Sequence, residues 1–146
     1  MTADCLCFRA RRVARALTRM YDEALRPLGV QATQLTLLNA ITMCGERGAT
    51  MGRLSDILAM DQTTLSRNLR PLERSGLLEV GRLETDRRVR LARLTPAGRR
   101  LVSDALPLWR EAHDRVVAAL GAEEALELRH RFDLTAAAAG EMAGRA

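Results

Sequence analysis

The sequence contains no lysine: all 23 basic residues in its 146 positions are arginines, set against 18 acids. A GC-rich genome also produces an arginine-only set, so the missing lysines exclude little. Cysteine is scarce. Cys5, Cys7 and Cys44 are too few and too irregularly spaced for a disulfide framework or a four-ligand zinc site, and reduced thiols are expected. Long apolar runs are also lacking. No segment reaches 18 apolar residues, and Arg9, Arg11, Arg12 and Arg15 stand where a secretion signal needs an apolar core. A soluble cytoplasmic protein with no membrane partner is expected. There is no glycine-rich phosphate loop, and His113 and His130, 17 residues apart in an acidic region, are poor material for a catalytic triad. These absences predict no catalytic residue, no metal, no cofactor and no enzyme activity.

What is present is unevenly distributed. Residues 1–100 hold 18 arginines and 10 acids, whereas residues 101–146 hold 5 arginines and 8 acids. A basic region of this kind suits a phosphate backbone. The length is that of one domain (1–146), and a compact fold of this size buries about 70% of the surface its unfolded chain exposes.

The periodicity predicts a mostly α chain. Thr2 or Asp4 is placed to cap a first helix, with apolar residues at Val13, Leu17, Met20, Leu25 and Leu28 until Pro27-Leu28-Gly29 ends it. A second helix is expected to start at Thr33 as its cap, to run through Leu35, Leu38, Ile41 and Thr42, and to close at Gly45 to Gly48. A short extended piece follows at Ala49 to Met51. Gly52 to Met60 then reads as a short helix with Leu54, Ile57 and Leu58 inward. Asp61 is a good cap for the next helix, whose stripe is Leu65, Leu69 and Leu72 and whose stop is Gly76, with Pro71 inside it. Leu77 to Val80 and Val89 to Leu94 are two strands flanking a charged tip, Arg82 to Arg88. Thr95-Pro96 starts a helix of about 25 residues carrying Leu101, Leu108, Val116 and Leu120. Gly121 breaks it before an Ala-rich last helix, Leu126 to Ala143. Helix, helix and basic hairpin in this order predict a winged helix-turn-helix lobe over 33–96. The long helices of 1–30 and 97–146 are left to pair across a two-fold axis in a homodimer.

With the leucine stripe buried, helical geometry turns Thr63, Arg67, Arg70 and Arg74 outward and puts Gln62, Thr64 and Ser66 on the flanks. Gln pairs with adenine, Arg with guanine or phosphate, and Thr or Ser with either base or a thymine methyl. A solvated amphipathic helix is the plainer reading of those arginines, and the neighbouring helix and basic hairpin argue against it. A winged-helix module serving only protein contacts is the competing class. It gives no reason for Arg67, Arg70 and Arg88 at groove-facing positions.

Leu54-Ser55-Asp56-Ile57-Leu58, the run from Leu65 to Leu77, Asp86-Arg87-Arg88 and Leu94-Thr95-Pro96-Ala97-Gly98 together resemble the multiple-antibiotic-resistance repressor (MarR) family over nearly the whole chain. The resemblance implies a homodimeric winged helix-turn-helix repressor of a pseudo-palindromic DNA operator. It makes the helix from Gln62 the recognition helix and Asp86-Arg87-Arg88 the wing, with the arginine reaching the minor groove or backbone and Asp86 steadying its basic neighbours. Asp86 also reads simply as a turn residue. In such a dimer two recognition helices enter successive major grooves about 34 Å apart, and a signal that repacks the first and fifth helices spoils that spacing.

Two kinds of signal are open, an oxidant or a small-molecule inducer. With Asp4 as cap, Cys5 and Cys7 fall in the first helical turn, where the helix dipole and nearby arginines favour thiolate. Side chains two apart in a regular helix point to nearly opposite sides, so a Cys5–Cys7 bridge is not expected there. Leu6-Cys7-Phe8, with Tyr21 fourteen residues after Cys7, is similar to the organic-hydroperoxide-sensing branch of the family, which implies a peroxide-reactive Cys7 hydrogen-bonded by Tyr21. Arg11 and Ala32 stand where two further tyrosines of that branch align. A structural role as small buried apolar residues is the plainer reading of the cysteines. The resemblance also implies a cleft for aromatic carboxylates between the dimerisation and DNA-binding parts. Arg11 or Arg15 would pair with the carboxylate, and Met43, Trp109 or His113 would line the pocket. Packing or surface positions are the plainer reading for Trp109 and His113.

Overall fold

Nearly every residue of the second predicted helix that points inward is apolar, and that helix forms the centre of the fold. In the computed structural model, which describes residues 4–83 and 85–143, α2 (Ala32–Met43) buries Leu35, Leu37, Leu38, Ala40 and Ile41. Apolar side chains on more than one face leave no single amphipathic stripe, because elements pack on α2 from several sides. Thr42, expected on the stripe, is exposed, and its hydroxyl donates back to Leu38 O (3.0 Å).

Ahead of α2 come α1 (Leu6–Leu25) and a 3-10 turn (Arg26–Leu28) that contains Pro27 and ends at Gly29 in the left-handed region. The N-caps of both helices, α1 and α2, differ from expectation. The N-cap of α1 is Cys5 rather than Asp4, and it makes no side-chain capping bond; Thr2 lies outside the described residues. The N-cap of α2 is Gln31 rather than Thr33. Its backbone N–H donates to Gln34 Oε1 (3.0 Å), and Asp22 of α1 accepts from Ala32 N–H (2.7 Å). A glutamine pair and a carboxylate from another helix thus satisfy amides that a local threonine was expected to serve.

β1 (Ala49–Thr50) leads into α3 (Met51–Leu58), where Thr50 Oγ1 accepts from Arg53 N–H (3.1 Å) as the cap. α4 (Gln62–Arg74), β2 (Leu78–Arg82), β3 (Arg90–Leu94), α5 (Pro96–Leu120) and α6 (Ala122–Ala143) complete the order. The extended piece before α3 is a third strand. The sheet order is β1-β3-β2, all antiparallel, with Ala49 opposite Ala92 and Leu78 opposite Leu94. α6 begins four residues earlier than its apolar pattern, directly after Gly121 with its positive φ.

The chain divides into two compact units, Met1–Trp109 and Arg110–Ala146, and the division falls inside α5. The first unit holds two apolar clusters. One joins α2, α3, α4 and the sheet around Leu38, Ile41, Leu54, Leu65, Leu69, Leu72 and Leu78. The other gathers Leu25, Val30, Leu35 and Ala105, with Tyr21 and Trp109 stacked against each other, ring centroids 6.2 Å apart and planes within 10°. In the second unit, α6 buries Ala125 and exposes Leu126, Phe132, Leu134 and Met142. No helix among the described residues is long and apolar enough to cross a membrane.

Candidate nucleic-acid interface

Leu65, Leu69 and Leu72 are all fully buried, which fixes the rotation of α4 about its axis. Gln62, Thr63, Arg67, Arg70 and Arg74 are consequently exposed, with Thr64 and Ser66 half-buried at the edges of that face. Both ends of the helix are well finished. Asp61 accepts from Thr64 N–H (2.8 Å) and from the Thr64 hydroxyl (2.6 Å), and these bonds, the hydroxyl first, hold its carboxyl below the ordinary aspartate value. The Thr64 hydroxyl proton is therefore committed to the cap, which leaves its oxygen lone pairs and methyl group for other contacts.

At the other end Gly76 adopts φ +72°, Leu77 N–H donates to Leu72 O (3.0 Å) and Gly76 N–H to Glu73 O (3.0 Å). This is a Schellman finish, in which a glycine takes the left-handed position and two orphan carbonyls are satisfied. Arg74 lies in the last turn, where a cation suits the negative end of the helix dipole. Pro71 deletes one backbone bond on an exposed face, and the leucine phase passes through it unbroken.

The wing is the β2–β3 hairpin. Its tip is closed by Leu83 N–H to Val89 O (2.9 Å) and Val89 N–H to Asp86 O (3.0 Å), while Asp86 Oδ1 accepts from Arg88 N–H (2.9 Å). Asp86 is thus the turn residue and, through one backbone amide, the group that orders Arg88. Glu84 at the tip lies outside the described residues. Arg87 and Arg88 are exposed, and next to the tip Arg82 lies directly opposite Arg90 across the strands. Like charges in that register repel, and a polyanion relieves the repulsion.

Helix and wing meet at a concavity of about 380 Å³ lined by Thr50, Met51, Gly52, Gln62, Ser66, Arg88, Val89 and Arg90. It brings together Gln62, Ser66 and Arg88 from the residues expected to read DNA, and adds Thr50, Gly52 and Arg90. The sequence signal for Arg90 was its charge beside the tip rather than any alternation, since it shares its strand face with buried Ala92 and Leu94. Thr50 and Gly52 gave no such signal, since their place depends on β1 pairing with β3.

The residues expected to sense a signal are not brought to one place. Cys5 and Cys7 are both exposed, so neither fills the described core, and Cys44 is half-buried at the end of α2. Cys5 stands at the N-cap with extended backbone (ψ 114°), not in the first helical turn. The regular-helix argument against a Cys5–Cys7 bridge therefore does not apply to this pair. Tyr21 follows Cys7 along α1 by fourteen residues, about 21 Å of helical rise, so contact between them within one chain is excluded. Tyr21 stacks on Trp109, and burial raises its phenol pKa. Arg11 and Arg15 are exposed on α1, His113 belongs to the second unit, and Met43 lines a separate concavity of about 390 Å³ with Cys44, Gly48, Ala49, Thr50, Arg53 and Ile57. No group of three metal-ligating side chains occurs among the described residues.

A capped helix with an arginine face, preceded by a short helix and followed by a basic hairpin, defines a winged helix-turn-helix DNA-binding protein. The MarR family model matches residues 28–89. The M. tuberculosis transcriptional regulator MosR, in complex with DNA, is 34% identical, with a TM-score of 0.85 over 95% of this chain and 98% of that one. The chain belongs to the MarR family and is a DNA-binding transcriptional regulator, not an enzyme. MarR from E. coli, complexed with operator DNA, is 26% identical with a TM-score of 0.77 over 86% of this chain and 89% of that one. CouR from Rhodococcus jostii, bound to p-coumaroyl-CoA, shares the fold at 24% identity and a TM-score of 0.77 over 93% and 94% of the two chains. No curated protein sequence matches the chain.

Proposed function

We propose that the protein is a homodimeric repressor of a pseudo-palindromic operator, released by oxidation of Cys7 or Cys5. The observation that carries the DNA reading is the concavity where Gln62 and Ser66 of α4 face Arg88 and Arg90 of the wing. On this reading Thr63, Arg67, Arg70 and Arg74 extend the contact along the groove, and Arg87 joins Arg88 on the phosphates. The dimer is supported by apolar side chains that the single chain leaves open: Leu6 is 72% exposed on α1, and Leu126 and Met142 are 62% and 71% exposed on α6. Dimer interfaces are the usual cover for helices of this kind.

The release step follows from exposed thiols at the start of α1, beside Arg9, Arg11 and Arg12. A thiolate there attacks the terminal oxygen of a hydroperoxide, forming sulfenic acid while the O–O bond breaks and the alkoxide leaves as alcohol. A second thiol then displaces water to give a disulfide. Oxidation alters the first turn of α1, and release requires differential affinity of a few kcal/mol between the two shapes of the dimer. An aromatic carboxylate or phenolic inducer is the second reading. It is favoured by the Tyr21–Trp109 stack and by the aromatic acyl ligand of CouR.

The test is binding to the protein's own promoter region at two salt concentrations, before and after mild peroxide, with Cys5→Ser and Cys7→Ser alongside. Salt-sensitive binding that peroxide abolishes only with Cys7 or Cys5 present is expected, because each phosphate contact releases counterions. Binding indifferent to oxidation would transfer the signal to aromatic acids. Failure to bind would leave a module for protein contacts.

A further inference from the structure

We propose that Thr95 is a positioning residue for DNA reading: its hydroxyl pins the end of the recognition helix to the start of α5. Four observations meet at this point, all within the first unit. The Thr95 hydroxyl donates to Gly76 O (2.6 Å), the residue that stops α4. The same oxygen accepts from Gly98 N–H (3.1 Å), capping the first turn of α5. Thr95 N–H donates to Leu77 O (3.1 Å). Gly98 packs so closely on Leu77 that a methyl group in its place would overlap the Leu77 carbonyl oxygen, for which the backbone has no room to give.

One side chain therefore uses its donor on one helix end and its acceptor on another. A threonine serving only as a cap needs the acceptor alone. The donor to Gly76 has a different consequence: α4 cannot slide or turn against α5 without breaking a short bond to a backbone carbonyl. α5 is also the helix that crosses from the first unit into the second, so its displacement reaches the recognition helix through Thr95. This inference rests on the proposed reading of two operator half-sites by a dimer.

The experiment compares Thr95→Ser and Thr95→Asp with the unmodified protein on duplexes from its own promoter, in which the half-site spacing located by footprinting is kept, lengthened or shortened by one base pair. Serine keeps both hydrogen bonds and should keep affinity and spacing preference. Aspartate keeps the cap, since its carboxylate accepts from Gly98 N–H, but has no proton for Gly76. It should melt close to the unmodified protein, yet bind at least tenfold more weakly and distinguish the three spacings poorly. Added negative charge alone would weaken all three duplexes equally and leave the preference intact. A folded Thr95→Asp protein with unchanged spacing preference, or a Thr95→Ser protein that loses it, would overturn the proposal. Should aspartate unfold the chain, Thr95→Ala replaces it at a temperature where circular dichroism shows it folded, with the same two outcomes. If the unmodified protein binds without any spacing preference, the two-half-site reading fails first, and equal affinity of the Ser and Ala variants then rejects the clasp as well.

Discussion

The winged lobe and the terminal helices draw on the same leucine and alanine, yet they finish differently. α4 is capped by Asp61, closed by Gly76 and packed through Leu65, Leu69 and Leu72, so its exposed arginine face is set by contacts the chain makes with itself. α1 has no side-chain cap and buries only Leu25, and among the described residues α6 buries only Ala125. For the face proposed to read DNA, order before binding is an advantage, because ordering on binding would cost affinity. The terminal helices, proposed above to dimerise and to sense, leave apolar side chains that only a partner outside the chain can cover.

That contrast breaks most sharply in the core of the lobe. Leu65→Ala removes a fully buried side chain and should cost about 2–5 kcal/mol in chemical denaturation. A loss under 1 kcal/mol would mean that α4 is held by its caps rather than by its packing. On α6 the same kind of truncation has a different signature. Phe132→Ala should leave the fold of an isolated chain unchanged and weaken self-association by about 1.5–3 kcal/mol, the worth of burying one such ring. Sedimentation at several concentrations reads this, and a concentration-independent result would place Phe132 outside the interface. Arg67→Ala should leave the melting temperature unchanged and cost about 1–3 kcal/mol against the preferred operator base. Equal weakening on every sequence would make Arg67 a phosphate contact instead.

The division between the two regions also decides what was legible in the sequence. The α4 stripe, Asp61 as its cap, Gly76 as its stop and the Thr95-Pro96 start of α5 were readable because each is a local pattern with a local cause. The N-caps of α1 and α2 differ from the sequence expectation for two reasons. Cys5 offers no capping side chain at all, and α2 is capped partly by Asp22, ten residues away on another helix. β1 was seen as an extended piece but not as a strand, because two residues acquire that status only by pairing with β3. Of the candidate site, the arginines on α4 and the wing followed from helical phase and hairpin position. Thr50, Gly52 and Arg90 join them only when the sheet closes. The candidate sensing residues stand out in the sequence by type alone, and no periodicity bears on whether distant side chains meet.

The wing offers a smaller and sharper test of the same contrast, because its order is achieved against its own charge. Arg82→Thr removes one member of the cross-strand pair with Arg90, so the free protein should gain about 0.2–1 kcal/mol while binding DNA more weakly. If Arg82 meets one phosphate, the slope of log affinity against log salt should fall in magnitude by about 0.9. A variant that is both less stable and equally salt-dependent would show that Arg82 packs rather than reads.

The smallest expected effect lies at the first turn of α4, and it separates the capped helix from the uncapped one by acidity alone. Asp61 has its carboxyl pKa lowered by the Thr64 hydroxyl and amide bonds. A group depressed in the folded state contributes stability that is present above its unfolded value, near 3.8, and is lost as pH falls through the folded value. Amide exchange at Thr64 and Leu65 should therefore accelerate, relative to its intrinsic rate, as pH drops below 3.8. Exchange at Arg9, whose N–H donates to Cys5 O at the uncapped start of α1, should show no such step. The carboxylate is fully exposed, so the change is confined to the first turn of the helix. Asp61→Asn keeps an acceptor for the Thr64 amide but has no proton to gain, and should abolish the step. Persistence of the step in that variant would assign it to another carboxylate and leave the order of α4 independent of its cap.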